Sequence, residues 1–167
     1  MRTFAALLLL LLFAASPARG DTILFLVTEL PGQRYHGDSY VLPISDPGAV
    51  AHARDLAAKG PAAGETIVFA RIAPGADGVN RDWLAPGTPA WSWHVTELIG
   101  FGDMGIEIYD GWPTYVESDV AGWIANTGGV IGFWSYTVAF ELGAAPEPST
   151  LVLCALGLAV LARRARR

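Results

Sequence analysis

Residues 46–61 read Asp-Pro-Gly-Ala-Val-Ala-His-Ala-Arg-Asp-Leu-Ala-Ala-Lys-Gly-Pro and hold the clearest helix signal in the chain. Asp46 can accept from the free N–H groups of a first turn, and Pro47 suits the first helical position. Ala49, Val50, Ala53, Leu56 and Ala57 fall on one apolar stripe at helical spacing. Lys59 suits the negative end of the helix dipole, and Gly60-Pro61 stops the helix. What flanks this helix has the other period. That juxtaposition of one good helix with β-rich runs decides the class as α+β.

Upstream, Thr22 to Thr28 contains Ile23-Leu24-Phe25-Leu26-Val27 and reads as the first strand. Pro31-Gly32 breaks it, and Ser39 to Ile44 is a second extended segment. Downstream, Glu65 to Ile72 is a strand with Ile67, Phe69 and Arg71 on one face. Ala73 to Gly87 is rich in Gly, Pro, Asp and Asn and reads as a long loop. Trp91, Trp93 and Val95 alternate with Ser92, His94 and Thr96, so the two Trp are expected in the core. Met104, Ile106 and Ile108 alternate in the same way. Trp112-Pro113 turns the chain, Val116 to Ile124 reads as a short helix, and Phe133 to Phe140 as a closing strand carrying Trp134 inward. The expectation is a single small domain with a mainly antiparallel sheet and one or two helices. No internal repeat or long linker divides it.

The two ends have a different character. Residues 1–20 read as a secretory signal. Arg2 precedes twelve apolar residues, Phe4 to Ala15, and small residues follow in Ser16-Pro17-Ala18-Arg19-Gly20. Twelve helical residues span about 18 Å, short of a bilayer core of roughly 30 Å. Residues 146–167 begin Pro146-Glu147-Pro148, continue through twelve largely apolar residues from Leu151 to Ala162, and end in Arg163, Arg164, Arg166 and Arg167. The Arg cluster favours the cytoplasmic side, so this short span points Pro146 outward. Its length suits a transient, processed segment better than a lasting anchor. Cys154, the one cysteine, lies inside the tract and reads as a small hydrophobe.

With the ends set aside, residues 21–145 carry five cations against fifteen acids, a net charge of about −10. Such a domain repels polyanions, which excludes nucleic acid as a partner. One cysteine excludes a disulfide framework and any Cys-rich zinc site. No phosphate loop, dinucleotide fingerprint or Gly-x-Ser-x-Gly is present, so no cofactor is expected.

Three sets of residues carry candidate chemistry. All six Trp lie between Trp83 and Trp134. Trp83 and Trp112 flank loops, where an aromatic face can stack on the apolar face of a sugar ring. His94 sits on the polar side of its strand with Glu97 three residues on, a spacing that puts the pair on opposite faces. His36 and His52 lack ligand-like spacing, so no metal site is expected. Asp103, Glu107, Asp110, Glu117 and Asp119 cluster without the alternation of a calcium loop and read as a solvated face; Asp110 is the member placed for a ligand contact.

Two resemblances follow from these residues. The Pro146-Glu147-Pro148 triplet, apolar tract and terminal Arg cluster resemble the PEP-CTERM sorting signal of Gram-negative bacteria. The resemblance implies export, recognition by an exosortase-type processing enzyme, cleavage near the triplet, transient residence in the inner membrane, and association with extracellular polysaccharide. Separately, Trp91-Ser92-Trp93-His94, the run Phe101 to Asp110, and Pro113-Thr114-Tyr115-Val116-Glu117 look like the small N-terminal domain of a calmodulin-binding protein family. Asp46-Pro47, Ala53-Arg54 and Asn80-x-x-Trp83 fit the same pattern, over roughly residues 40–142. Where that family commonly has Cys after the Glu-x position, this chain has Ile108-Tyr109. The resemblance implies a shared fold and transfers no catalytic residue. Calmodulin binding does not carry over, since no basic amphipathic helix is present.

The resulting expectation is an exported protein of the cell envelope or extracellular matrix, non-enzymatic, with a membrane-tethered precursor. The alternatives are a carbohydrate-binding module using Trp83 and Trp112, and a secreted polysaccharide-acting enzyme using Glu107 or Asp110 with His94.

Overall fold

The structure is a computed structural model, and it describes residues 21–145. The signal, the Pro146-Glu147-Pro148 triplet, Cys154 and the terminal Arg cluster lie outside the described residues.

Among the described residues, six strands and three α-helices follow in the order β1 (Ile23–Glu29), β2 (Ser39–Ile44), α1 (Pro47–Lys59), β3 (Ile67–Pro74), β4 (Trp93–Gly102), α2 (Pro113–Ser118), α3 (Val120–Thr127), β5 (Val130–Ile131) and β6 (Tyr136–Ala144). Short 3-10 turns occupy Gly60–Ala63 and Glu107–Tyr109. The strands make two antiparallel three-stranded sheets, ordered β2-β1-β6 and β4-β3-β5. The α+β expectation holds, with two small sheets in place of one and three helices where one or two were expected.

The helix at 46–61 forms as its residues dictate. Asp46 accepts from the Ala49 N–H at 2.8 Å, and Val50, Ala53 and Leu56 are buried. Gly60 ends the helix at φ 58°, a conformation that favours glycine, and its N–H returns to the Leu56 carbonyl. Arg54 on its outer side forms a two-pronged ion pair with Glu141 of β6, at 2.7 and 2.9 Å. The guanidinium holds the Glu141 carboxyl below the usual carboxylate range.

One core joins both sheets and α1. Phe25, Val27, Tyr40 and Leu42 face Val68, Ala70, Trp93, Phe133 and Tyr136 within it. The inward face of β3 is Val68, Ala70 and Ile72, the set that alternates with Ile67, Phe69 and Arg71. Two strands are bulged. Pairing skips Thr96 and Ile99 in β4, and Ala139 and Leu142 in β6, which sharpens the twist of each sheet.

Several expectations are corrected. Met104 to Ile108 is no strand: β4 ends at Gly102, and Met104 is 87% exposed. Gly105 instead presses on Phe69, where a Cβ would come within 2.9 Å of the ring, so the run is pinned by its glycine and not by its apolar side chains. Trp134 is not core. It lies before β6, 43% exposed, while its neighbour Phe133 fills the interior. The closing strand starts at Tyr136 and runs to Ala144, and Phe140 is on its outside. The helix expected over Val116 to Ile124 is two helices, because Asp119 leaves helical geometry and caps the second through the Gly122 N–H. Trp93 is fully buried as expected. Trp91 precedes the strand, is half-buried, and stacks on Trp93 with centroids 6.3 Å apart.

Candidate functional site

Both loop Trp singled out in the sequence are tied to one segment, residues 35–39, between β1 and β2. Glu29 at the end of β1 gathers that segment. Its Oε1 accepts the N–H groups of Tyr35 and His36, both at 2.9 Å, and its Oε2 that of Gly37 at 3.0 Å. Asp38 then reaches in two directions. Its Oδ2 accepts from the N–H and hydroxyl of Thr114 in the first turn of α2, at 2.8 and 2.6 Å, and its Oδ1 accepts from the Tyr136 hydroxyl. Burial and the Asp38 hydrogen bond push the Tyr136 hydroxyl well above its ordinary pKa.

Ser39 holds the long loop between β3 and β4. Its hydroxyl donates to Asp82 at 2.8 Å and accepts from the Trp83 N–H at 2.9 Å. Its carbonyl accepts from the Trp91 indole at 3.0 Å. Next to it, Asn80 is 1% exposed and bridges the two sheets. Its Oδ1 accepts from the Val41 N–H at 2.8 Å, and its Nδ2 donates to the Trp93 carbonyl at 2.9 Å. Asp77 in turn accepts from the Asn80 N–H at 2.7 Å. Buried polar groups paired in this way rigidify a loop whose regular structure is an antiparallel bridge between Arg81 and Ala90.

Tyr35, His36, Trp112 and Tyr115 form one aromatic row, and Trp83 is fixed at the same end of the sheet through its bond to Ser39, so these residues make an aromatic rim. Tyr35 is 76%, Trp83 47% and Tyr115 51% exposed. Trp112 is half-buried, with His36 stacked on it at 3.9 Å and 7° and Tyr115 at 4.9 Å. Trp83 keeps an open face, whereas the Trp112 ring is already engaged by protein partners. The exposed rings are Trp83, Tyr35 and Tyr115, the last with one side on Trp112 and an edge contact to Trp123. The rim gathers at the Glu29–Ser39 end of the β2-β1-β6 sheet, opposite the end where Ile23 pairs with Ile44 and Ala144.

His94 Nδ1–H donates to the Gly75 carbonyl at 2.7 Å, at the start of the same long loop. Asp103, Glu107 and Asp119 of the acidic run are exposed, and Asp110 and Glu117 are partly so, but most of the run also has partners in the backbone. Asp103 accepts from the Glu65 N–H, Asp110 from those of Gly111 and Trp134, Glu117 from the Ser92 N–H and hydroxyl, and Asp119 from the Gly122 N–H. Four of the five acids hold backbone amides in place. A shallow cleft of about 310 Å³ beside α2 and α3 is lined by Glu107, Asp110, Tyr115, Asp119, Trp123 and Asn126, without His94. Among the described residues no three His, Cys, Asp or Glu side chains converge to hold a metal ion.

Tyr35 and Asp38 carry no signal in the sequence, His36 enters there only as a residue without ligand-like spacing, Ser39 only as the start of an extended segment, and Tyr115 only within the resembling run. Their bonds reach partners up to 98 residues away, which no local periodicity records. The Asn80-x-x-Trp83 pattern was the one sequence trace of this network.

Buried Asp38, Ser39, Asn80 and Asp82 thus pin the loops of a small α+β domain. The chain belongs to the BP-74 N-terminal domain family, whose profile matches residues 23–145. The PEP-CTERM protein-sorting motif matches residues 144–167. The protein is thus exported, processed by an exosortase, and located in the cell envelope or outside the cell. No curated protein and no solved structure matches the chain. Among the described residues no helix is long and apolar enough to cross a membrane.

Proposed function

We propose that the mature domain is a non-enzymatic binding module of the envelope or extracellular matrix, with polysaccharide as its partner. The observation that carries this reading is the set of exposed rings Tyr35, Trp83 and Tyr115, on two loops and the first turn of α2 that Asp38, Ser39, Asn80 and Glu29 fix. Rigid exposed aromatics suit the apolar faces of sugar rings, and fixing them beforehand lowers the entropy lost on binding. A net charge near −10 favours neutral over anionic glycans. In this reading the precursor is held transiently in the inner membrane by residues 151–162, and both ends are removed.

The enzyme alternative has the cleft bearing Glu107 and Asp110. It lacks His94 there, and Asp110 is engaged by two backbone amides. A glycan array probed with the processed protein tests the proposal. Binding to neutral glycans that Trp83→Ala abolishes supports it. Turnover of a glycan without retention would replace it with the enzyme.

A further inference from the structure

At the end of the β2-β1-β6 sheet away from the aromatic rim, the two ends of the domain close on each other. Ile23 pairs with Ala144 and Leu24 with Gly143. One residue further, the Ala145 N–H donates to the Thr22 carbonyl at 2.7 Å. Pro146, first residue of the triplet, follows Ala145 directly. The ladder therefore runs up to the sorting motif with no intervening linker. A processing enzyme that takes its substrate as an extended segment needs the backbone N–H and C=O groups of that segment for itself. Just upstream of the triplet those groups are already committed to β1.

The same stretch has a built-in point of weakness. Pairing skips Leu142, and Gly143 stands at φ 110°, so Gly143–Ala145 is joined to the rest of β6 across a bulge. Strand ends beyond such an irregularity open locally at far less cost than global unfolding.

We infer that closure of Gly143–Ala145 on Thr22–Leu24 gates processing of the tail: the exosortase acts on precursor whose β6 end is unpaired, and the first residues of β1 thereby control a cut at the opposite end of the chain. The cleavage chemistry stays with the exosortase. The domain supplies the gate, and a chain that has not yet formed β1–β6 is cut faster than a folded one.

The test follows the ratio of precursor to processed protein in pulse–chase experiments on the full chain in cells that carry the exosortase. Ile23→Cys with Ala144→Cys, in a Cys154→Ser background, places thiols on cross-strand partners within disulfide reach. With the disulfide confirmed by non-reducing gel mobility, the stapled precursor should accumulate uncut, and reductant should restore processing to the level of the Cys154→Ser parent. A second variant inserts six Gly/Ser residues between Ala145 and Pro146. It should be processed faster than the parent, and should be cut even when stapled. Processing of the stapled precursor at the parent's rate overturns the inference. So does a stapled precursor that stays uncut after the insertion, because the block would then lie in tail recognition and not in strand closure.

Discussion

The hydroxyl of Tyr136 donates to Asp38, a buried carboxylate 98 residues earlier in the chain. That bond links the first residue of β6 to the segment that carries the aromatic rim. The same Asp38 holds the first turn of α2 through Thr114. Three parts of the chain far apart in sequence thus share one carboxylate.

Tyr136→Phe should cost about 1.5–3 kcal/mol, the range for a hydrogen bond to a charged group. It should also change the alkaline limb of stability. The folded-state pKa of Tyr136 is raised, so its contribution is full below the unfolded value near 10 and is lost as pH climbs above it. Tyr40, raised by burial, acts in the same direction and remains in the variant. Melts between pH 8 and 11 should show a shallower decline in Tyr136→Phe than in wild type. An identical slope would mean that the hydroxyl does not sense the fold.

Trp93→Ala and Trp83→Ala should separate core from surface. Trp93 is fully buried, so its truncation should cost about 3–5 kcal/mol in chemical denaturation. Trp83 presents an open ring, and its loss should leave stability within about 0.5 kcal/mol while weakening glycan retention. A Trp83→Ala protein that melts like wild type and still binds glycan would remove that ring from the binding surface.

Gly132→Ala should be among the costlier single-methyl changes. A Cβ there would sit 2.6 Å from the Phe69 ring, far inside contact distance. Overpacking of this kind costs about 1–3 kcal/mol. Phe69→Leu should recover part of the loss in the double variant, and a purely additive double variant would show that the clash is relieved elsewhere.

For His94 the expected outcome is structural. Its ring bonds the Gly75 carbonyl, so His94→Ala should cost about 1 kcal/mol and raise hydrogen exchange in the loop after β3. Glycan binding or any hydrolytic activity should be unchanged. Loss of an activity at unchanged stability would restore the enzyme reading.

The parts of the fold legible in the sequence are those whose cause is local. Asp46, Pro47 and Gly60 bound α1 by capping and backbone preference alone, and β1 and β2 follow from their apolar runs. Local signals mislead where a side chain answers to a distant partner. Met104, Ile106 and Ile108 alternate like a strand, yet Gly105 against Phe69 sets their path. Phe133 took the interior place expected for Trp134, because Asp110 holds the Trp134 amide outside the sheet. The acidic run is solvated as its sequence suggests, but its amide contacts are not legible there, because a carboxylate bound to an amide 25 residues away, as Glu117 is to Ser92, has the same local sequence as a free one. At the rim, Trp83 and Trp112 were visible as loop aromatics. Which of the two keeps an open face depends on His36 and Tyr115, which composition does not disclose.

β1 runs seven residues from Ile23 to Glu29, about 20 Å at strand rise. That length separates the end where both termini leave from the end where Tyr35 and Trp83 stand. Copies retained at a surface by their C-terminal ends would all turn the same aromatic edge outward. On the proposed binding function, a single shallow contact with a sugar would be weak, but a repeating polymer would meet many such edges at once. Its hold then grows through avidity, by about a hundredfold or more over one site, with no further contact evolved within the domain. Density of display, set by how many copies are sorted, would then be the quantity that tunes the proposed adhesion.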